Sequence, residues 1–322
     1  MTSRERITAA LRFEECDTVP IEVRDCTLGG VNFPPWCSEG EINRKGSYTD
    51  LWGCKWFALE DGVCGEVKYH PLEDWSKLDS FKPPMEYLKK LDLSGVNRFC
   101  ESTDKFVCPM WEPAMPNLFE RLQHLRGTEN LFMDLAYGDS RIFKLIDMLN
   151  EYYFPLLEKW AATDVDALHL ADDWGTQISL LISPDMWREY FKPVYKSFVD
   201  IGKAENKFML FHSDGFIESI IEDFIDIGVD SINSQIFCMN IEELAKKYHH
   251  KIAFWGEIDR QYLQVFAEPE DIRAGVRRLA DAFFKYGKTG FIAQCVYTKG
   301  AKEENKQAEW DEWEKVSAGW AK

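Results

Sequence analysis

Short apolar runs alternate with longer amphipathic segments over the C-terminal half of the sequence. In the longer segments the apolar residues recur every three or four positions, as they do in helices. This alternation predicts right-handed β–α–β units, and therefore a parallel sheet with helices packed against it. The predicted strands cover residues 166–171, 207–212, 231–235, 251–255 and 290–294, and the predicted helices cover about 183–202, 216–227, 240–248 and 260–286, with a last helix from Glu303.

The N-terminal half adds weaker strand signals. Roughly eight strands in total, most of them followed by a helix, favour the α/β class and a (β/α)8 TIM barrel over an open sheet. Residues 25–105 are irregular, with weak strand signals near Trp52–Leu59 and Val63–Tyr69, and are too long for a simple loop, which predicts an elaborated cap or lid. We therefore expect residues 1–322 to form one barrel domain that includes this cap. The added strands are predicted near 19–24 and 106–111, and the added helices at about 3–13, 116–125, 127–136 and 140–162.

The composition excludes several classes of partner and of site. A formal net charge of −17 would repel nucleic acid phosphates and anionic membranes, and no apolar run approaches the ~18 residues of a membrane span. The N-terminal residues are typical of a helix start and not of a signal peptide. Nine cysteines without a Cys-x-x-Cys pair indicate reduced thiols in a cytoplasmic protein. A nucleotide site has no support, because GxGxxG and GxxxxGK(S/T) are both absent.

Polar side chains follow five successive predicted strands. In a parallel barrel the active site is built just after the carboxyl ends of the strands, so these residues are candidate site residues. Because polar residues end five successive strands, one shared functional site explains them better than five unrelated structural roles. In chain order the candidates are Asp172, Asp173 and Trp174; His212, Ser213 and Asp214; Gln235; Trp255, Glu257 and Asp259; and Cys295 and Tyr297.

Each candidate also has a structural interpretation, which the sequence leaves open. The alternatives are helix N-caps for Asp173 and Asp214, a hydrogen-bonded core position for His212, a buried apolar thiol for Cys295 and a surface ion pair with Arg260 for Glu257.

An imidazole, a carboxylate and a thiol come from two of these strand ends. His212, Asp214 and Cys295 are residue types that bind zinc, and three protein ligands with one open position describe a catalytic zinc site. Glu257 or Gln235 would add an oxygen ligand. Zinc in such a site holds a thiol as thiolate or acts as a Lewis acid on an ether oxygen. Because His212 and Cys295 are far apart in the sequence, only the fold could bring them together.

Several stretches are together specific for one family. The chain resembles the uroporphyrinogen decarboxylase superfamily over nearly its whole length, and this resemblance implies a (β/α)8 barrel. The matching stretches are Arg4-Glu-Arg-Ile-Thr-Ala-Ala-Leu with Val19-Pro; Leu125-Arg-Gly-Thr-Glu-Asn-Leu; Asp172-Asp-Trp-Gly-Thr-Gln with Ile182-Ser-Pro; Phe211-His-Ser-Asp-Gly; Gly228-Val-Asp-Ser-Ile-Asn; Gly256-Glu-Ile-Asp-Arg-Gln; and residues 290–295.

The resemblance leaves two kinds of enzyme open. The decarboxylases remove carboxyl groups from a tetrapyrrole without a cofactor and carry an arginine-rich N-terminal motif that binds propionates. Residues 24–30 lack that motif, and Arg24 and Arg44 are the only arginines nearby. Because a polyanionic substrate needs several cations, decarboxylation is the disfavoured alternative.

The other branch implied by the resemblance contains methyltransferases that exchange methyl groups with a corrinoid protein. It includes coenzyme M methyltransferases, which bind zinc through a His-x-Cys motif and a distant Cys, and O-demethylase components. His212 and Cys295 match the first and last of these ligands, and Asp214 stands at the position of the first Cys. An oxygen ligand there favours polarising an oxygen over holding a thiol, or it marks a site that has lost zinc.

We therefore predict a corrinoid-dependent methyltransferase that acts on a small methylated substrate, such as a methoxylated aromatic compound. A cobalamin-binding partner protein would supply the corrinoid. A non-catalytic barrel subunit of a corrinoid complex is a further alternative, and a homodimer is left open. The predicted site comprises catalytic His212, Asp214, Asp173 and Glu257; zinc ligands His212, Asp214, Cys295 and Glu257, with Gln235 as a further oxygen ligand; and an aromatic pocket of Trp111, Trp174, Trp255 and Tyr297.

Overall fold

The computed structural model describes residues 1–27, 33–110 and 115–320. The strands are β1 (Cys26–Thr27), β2 (Cys37–Glu39), β3 (Gly46–Asp50), β4 (Lys55–Ala58), β5 (Glu66–Tyr69), β6 (Phe106–Val107), β7 (Ala167–Ala171), β8 (Phe208–Ser213), β9 (Ser231–Ser234), β10 (Ala253–Glu257) and β11 (Phe291–Gln294). The helices are α1 (Ser3–Leu11), α2 (Glu22–Asp25), α3 (Met85–Lys90), α4 (Val96–Glu101), α5 (Leu118–Arg126), α6 (Thr128–Tyr137), α7 (Ser140–Ala161), α8 (Pro184–Tyr190), α9 (Lys192–Ala204), α10 (Ile221–Ile227), α11 (Ile241–Tyr248), α12 (Leu263–Phe266), α13 (Pro269–Phe283) and α14 (Glu303–Trp320).

Five parallel strands form the centre of an α/β fold. Their order is β11–β10–β9–β8–β7, so strands that follow one another in the chain lie side by side. Helices α8 to α13 connect them, as the alternating pattern predicts. All five predicted strands of the C-terminal half are confirmed, with ends within two residues of the prediction.

Both edges of the five-stranded sheet continue into the N-terminal half. At one edge, the backbone N–H of Ala293 donates to the carbonyl of Pro20 (2.9 Å), and Ile21 forms a parallel bridge with Ala293. At the other edge, the N–H of Asp166 donates to the carbonyl of Val107 (2.8 Å). The short strand β6, which contains Val107, pairs in parallel with β1.

Residues 37–69 form a separate antiparallel sheet in the order β2–β3–β4–β5. A buried ion pair joins this sheet to α5: Arg121 Nη1 lies 3.1 Å from Asp50 Oδ2, and neither side chain is exposed. The same Asp50 oxygen accepts a hydrogen bond from Trp56 Nε1 at 2.9 Å. A buried charge pair of this kind needs further hydrogen bonds to offset its desolvation.

Four predictions need correction. Residues 19–24 supply only the Ile21 bridge before α2 begins. Residues 25–105, predicted to be largely irregular, contain the antiparallel sheet; its strands β4 and β5 lie within the two predicted strand signals, whereas β2 and β3 were not predicted, because these short and largely exposed strands carry a weak apolar pattern. The helices predicted at 183–202 and 260–286 are each divided, because Pro193 lies at the start of α9 and Pro269 opens α13.

Apolar residues pack on both faces of the parallel strands. One cluster lies between the strands and the surrounding helices and includes Leu168, Phe211 and Phe254. A second cluster contains Leu210 and Trp255, which belong to the opposite face by the two-residue period of a strand. In the part of the chain that the structure describes, no helix has the length and apolar character needed to span a membrane.

Candidate active site

The carboxyl ends of β7 to β11 bring polar side chains together. In the strand register His212 of β8 is the partner of Ala171 in β7 and of Asn233 in β9. Asn233 is in turn the partner of Trp255 in β10. Side chains at paired positions of neighbouring strands point to the same face, so His212, Asn233 and Trp255 share one side of the sheet.

The His212 imidazole is held between an amide and two carboxylates. Its Nδ1–H donates to Asn233 Oδ1 at 2.5 Å. Its Nε2 lies 3.4 Å from Asp173 Oδ1 and 3.7 Å from Asp214 Oδ1. The amide therefore fixes the ring so that Nε2 faces the two carboxylates. Asp173 and Asp214 are not helix N-caps, because the following helices are capped by other residues.

These neighbours favour the protonated imidazole. Burial lowers the pKa of His212, but the hydrogen bond and negative charge of Asp173, together with the charge of Asp214, raise it to about 9. Burial raises the pKa of Asp173, and the hydrogen bond and charge of His212 more than offset this, so that its pKa is lowered. At neutral pH the pair is an imidazolium beside a carboxylate, with a proton held at Nε2.

Arg260 connects this cluster to Glu257. Its Nη2 lies 2.5 Å from Asp214 Oδ1, and its Nε lies 2.6 Å from Glu257 Oε1. Burial raises the pKa of Glu257 to about 8 although Arg260 opposes this. The predicted pair of Glu257 and Arg260 is therefore present, but it belongs to the strand-end cluster, with the Glu257 side chain only 7% exposed.

A hydrogen-bond network connects Asn233, and through it His212, to neighbouring strands. Asn233 Nδ2 donates to the Trp255 carbonyl (2.7 Å) and to Gln294 Oε1 (2.8 Å). Trp255 Nε1 donates to Glu22 Oε2 (3.0 Å), and burial raises the pKa of Glu22. The site residues predicted from the sequence did not include Asn233, Gln294 and Glu22. The first two lie inside predicted strands, where the pairing of neighbouring strands would have pointed to them.

Cys295 lies apart from this cluster. It is buried, and burial together with the charge of Glu309 on α14 raises the pKa of its thiol. Its other neighbours include Tyr297, whose hydroxyl donates to the Lys306 carbonyl at 3.3 Å. Among the described residues, the cysteine is not part of the group of ligand atoms around His212. The sequence pointed to Cys295 as the third ligand beside His212 and Asp214, whereas the structure places Asp173 next to these two residues.

The three predicted aromatic residues that the structure describes do not form one pocket. Trp174 is fully buried and stacks on Phe119 with ring centroids 3.9 Å apart. Trp255 is 1% exposed. Tyr297 lies beside Cys295, and Trp111 lies outside the described residues. Their large apolar rings stabilise the core where they are described.

The donor set at the strand ends fits a divalent metal ion. Asp173, His212 and Asp214 each offer one ligand atom, and these atoms lie within 4.8 Å of one another. One imidazole nitrogen and two carboxylate oxygens suit zinc and similar ions. The hydrogen bond from His212 Nδ1 to Asn233 is the kind of outer contact that orients a metal-binding histidine. Gln235 accepts a hydrogen bond from the Gly215 N–H (3.1 Å) and Glu257 pairs with Arg260, so neither belongs to this set.

Comparison with known proteins identifies the family. The sequence profile of uroporphyrinogen decarboxylase (URO-D) matches residues 122–308, which is more than half of the chain. The chain belongs to the URO-D family. No curated protein sequence matches this URO-D family protein significantly.

The fold of this URO-D family protein is also found in a solved structure. A methyltransferase from Methanosarcina mazei is similar with a TM-score of 0.72 and 15% identity, covering 98% of this chain and 99% of that one. A 7,8-dihydropteroate synthase from Vibrio fischeri ES114 has a TM-score of 0.35 at 13% identity, covering 56% of this chain and 64% of that one. This chain and the methyltransferase therefore share one fold over nearly all of both chains.

Proposed function

We propose that this protein is a corrinoid-dependent methyltransferase. It would move a methyl group from a small methylated substrate, such as a methoxylated aromatic compound, to a cobalamin-binding partner protein. The observation that carries the proposal is the His212 imidazole, held by Asn233 with its Nε2 facing Asp173 and Asp214. Family membership and the full-length likeness in fold to the Methanosarcina mazei methyltransferase support it.

We further propose that the parallel strands close into a (β/α)8 barrel, with the segment 25–105 as its cap. The bonds from Ala293 to Pro20 and from Asp166 to Val107 support closure, because they extend one edge of the sheet to Pro20 and the other to β6, which pairs with β1 a few residues after Pro20. In such a barrel the ends of β7 to β11 would line one mouth, where barrel enzymes have their active sites.

In the proposed reaction His212 acts on the leaving group. Its Nε2 proton passes to the ether oxygen as the bond between that oxygen and the methyl carbon breaks, so that an alcohol or phenol leaves in place of an anion. Asp173 and Asp214 keep the imidazole protonated until then, and Asn233 fixes its direction. The reduced corrinoid of the partner protein supplies the electron pair and accepts the methyl group.

Asp173, His212 and Asp214 are the residues that would hold a metal ion. A divalent ion bound there would supply Lewis acidity to the same oxygen. Arg260 would then limit the negative charge of Asp214, because its guanidinium lies 2.5 Å from Asp214 Oδ1.

The proposed function is tested by anaerobic methyl transfer to free cob(I)alamin. The protein is incubated with cob(I)alamin and methoxybenzenes, and methylcobalamin is followed by its absorbance. We expect turnover by the wild type and a loss of about 100-fold or more in His212→Gln. Asp147→Asn, an exposed change on α7, is the matched control and should keep full activity. No methylcobalamin with any methyl donor, or turnover of uroporphyrinogen instead, would refute the proposal.

A further inference from the structure

We infer that a cavity beside the strand-end cluster binds the body of the methyl donor and selects an uncharged aromatic molecule with oxygen acceptors. This inference rests on the proposed function and names the substrate class of that site. The cavity has a volume of about 120 Å³. Its walls come from the segments after β7, β9 and β10, and include Gln177, Gln235, Phe237, Cys238, Glu257 and Tyr262.

The two glutamines present hydrogen-bond donors to the cavity. Gln235 Oε1 accepts from the Gly215 N–H (3.1 Å) and from the Cys238 thiol (3.7 Å). Gln177 Oε1 lies 3.4 Å from the same thiol, so the two oxygens share its single S–H proton. Because these contacts occupy the carboxamide oxygens, each NH₂ group is left to donate. Among the described residues neither NH₂ group has a partner, so a ligand with ether, hydroxyl or carbonyl oxygens would satisfy them.

The charges around the cavity disfavour an anion. Arg260 lines it, but that guanidinium already lies between Asp214 and Glu257. Asp259 adds another carboxylate to the wall, with its oxygen bound to the backbone N–H of Gln261 and Tyr262. An incoming carboxylate would therefore meet more negative than positive groups.

The size and the apolar walls of the cavity suit a one-ring aromatic molecule. A site needs roughly 10–15 Å³ for one water-sized group, so the cavity accommodates about ten such groups, comparable with a one-ring methoxylated phenol. The rings of Phe237 and Tyr262 offer apolar walls to such a molecule. Arg260 borders both the cavity and Asp214, so a ligand here lies next to the cluster that contains His212.

The thiol of Cys238 allows a direct test. The protein is treated with N-ethylmaleimide, and alkylation of each cysteine is followed by peptide mass spectrometry with and without added ligand. We expect 2-methoxyphenol to slow the alkylation of Cys238 and 2-methoxybenzoate to need at least tenfold higher concentration for the same effect. Cys64, which is exposed and far along the chain in the antiparallel-sheet region, is the internal control and should be unaffected by either ligand.

Variants of the glutamines test the donors. Gln235→Leu should weaken protection by 2-methoxyphenol about fivefold, the effect of one neutral hydrogen bond. Gln177→Leu, at an exposed position, should weaken it in the same direction and keeps the test open if the first variant does not fold. Gln307→Leu, on the exposed side of α14, is the matched control.

Three outcomes overturn the inference: no protection of Cys238 by 2-methoxyphenol, equal protection by the benzoate, or unchanged protection in both glutamine variants. The experiment contains no corrinoid, so it is separate from the test of the proposed function. Protection without methyl transfer would retain the binding site and refute the function. Methyl transfer without protection would retain the function and refute this site.

Discussion

Replacing Asp173 by asparagine should lower the proton affinity of His212 at least tenfold. Asparagine keeps the size of the side chain and removes its charge. In the wild type the pKa of His212 is raised from 6.5 to about 9, which corresponds to about 3 kcal/mol in favour of the imidazolium. The interactions responsible are stronger than this in total, because burial of the ring opposes them.

Asp173 supplies a large share of that free energy. Its Oδ1 is the nearer of the two carboxylate oxygens, at 3.4 Å against 3.7 Å for Asp214. The side chain of Asp173 is 43% exposed, so water screens part of its charge. We therefore expect a loss of about 1.4 kcal/mol or more, which is tenfold in proton affinity.

The assay is an NMR titration of the His212 ring protons in chelator-treated protein, with His212→Gln to assign the signal. Asp147→Asn is the control for a change in total charge, and it should leave the titration unchanged. If Asp173→Asn titrates with a proton affinity within threefold of the wild type, Asp173 does not hold the imidazolium and the reasoning is wrong.

Stability provides an independent measurement of the same interaction. The folded-state pKa of His212 lies above the ordinary value, so its stabilisation is complete below pH 6.5 and is lost as pH rises through about 9. Glu257, whose pKa is raised from 4.5 to about 8, also lowers stability as pH rises. The difference in unfolding free energy between the wild type and Asp173→Asn isolates the contribution of the ion pair between His212 and Asp173. This difference should be largest near pH 6, where His212 is protonated, and small above pH 9, where the imidazole is neutral. A difference that is the same at both pH values would contradict this.

Three further predictions concern other parts of the structure. Asp50→Asn removes the carboxylate from the buried Arg121 and should lower the urea-measured free energy of unfolding by about 3 kcal/mol; a loss below 1 kcal/mol would contradict the buried pair. Trp174→Ala should cost about 3–5 kcal/mol of stability, because the ring is fully buried, and unchanged thermal unfolding would show that it is not a core residue. Cobalt(II) bound to the protein should show no thiolate charge-transfer absorbance and should bind Cys295→Ser as tightly as the wild type, whereas Asp173→Asn should bind it at least tenfold more weakly; a thiolate band lost in Cys295→Ser would restore the cysteine as a ligand.

The strand period explains which site residues the sequence could reveal. Successive side chains of a strand point to opposite faces, so in β11 Ile292 belongs to one cluster of the core and Phe291, Ala293 and Cys295 belong to the other. Position 295 therefore faces α14, where burial and the charge of Glu309 raise the pKa of the Cys295 thiol. Gln294, on the opposite face, bonds to Asn233. Cys295, which directly follows β11, continues the face opposite that of Gln294 and Asn233. This alternation argues against Cys295 as a ligand beside His212.

The same period applies after β7. Asp173 continues the face of Ala167, which belongs to the same cluster as Leu210 and Trp255, whereas Trp174 continues the face of Leu168 and Leu170 against the helices. The prediction that included both side chains in one site overlooked this alternation. Trp174 is accordingly buried, and Asp173 reaches His212.

The sequence by itself determined the parallel α/β arrangement and the polar ends of the strands, because local periodicity and strand length are written into neighbouring residues. It also singled out His212 and Asp214, which lie two positions apart and so fall on one face. Only the tertiary structure decided which side chains join them. Asp173 was predicted for this site from the sequence, but Asn233 as the partner of His212 and Arg260 as the partner of Asp214 were not. Both come from other strand ends, and their distances to His212 and Asp214 depend on the register between strands, which no local pattern encodes.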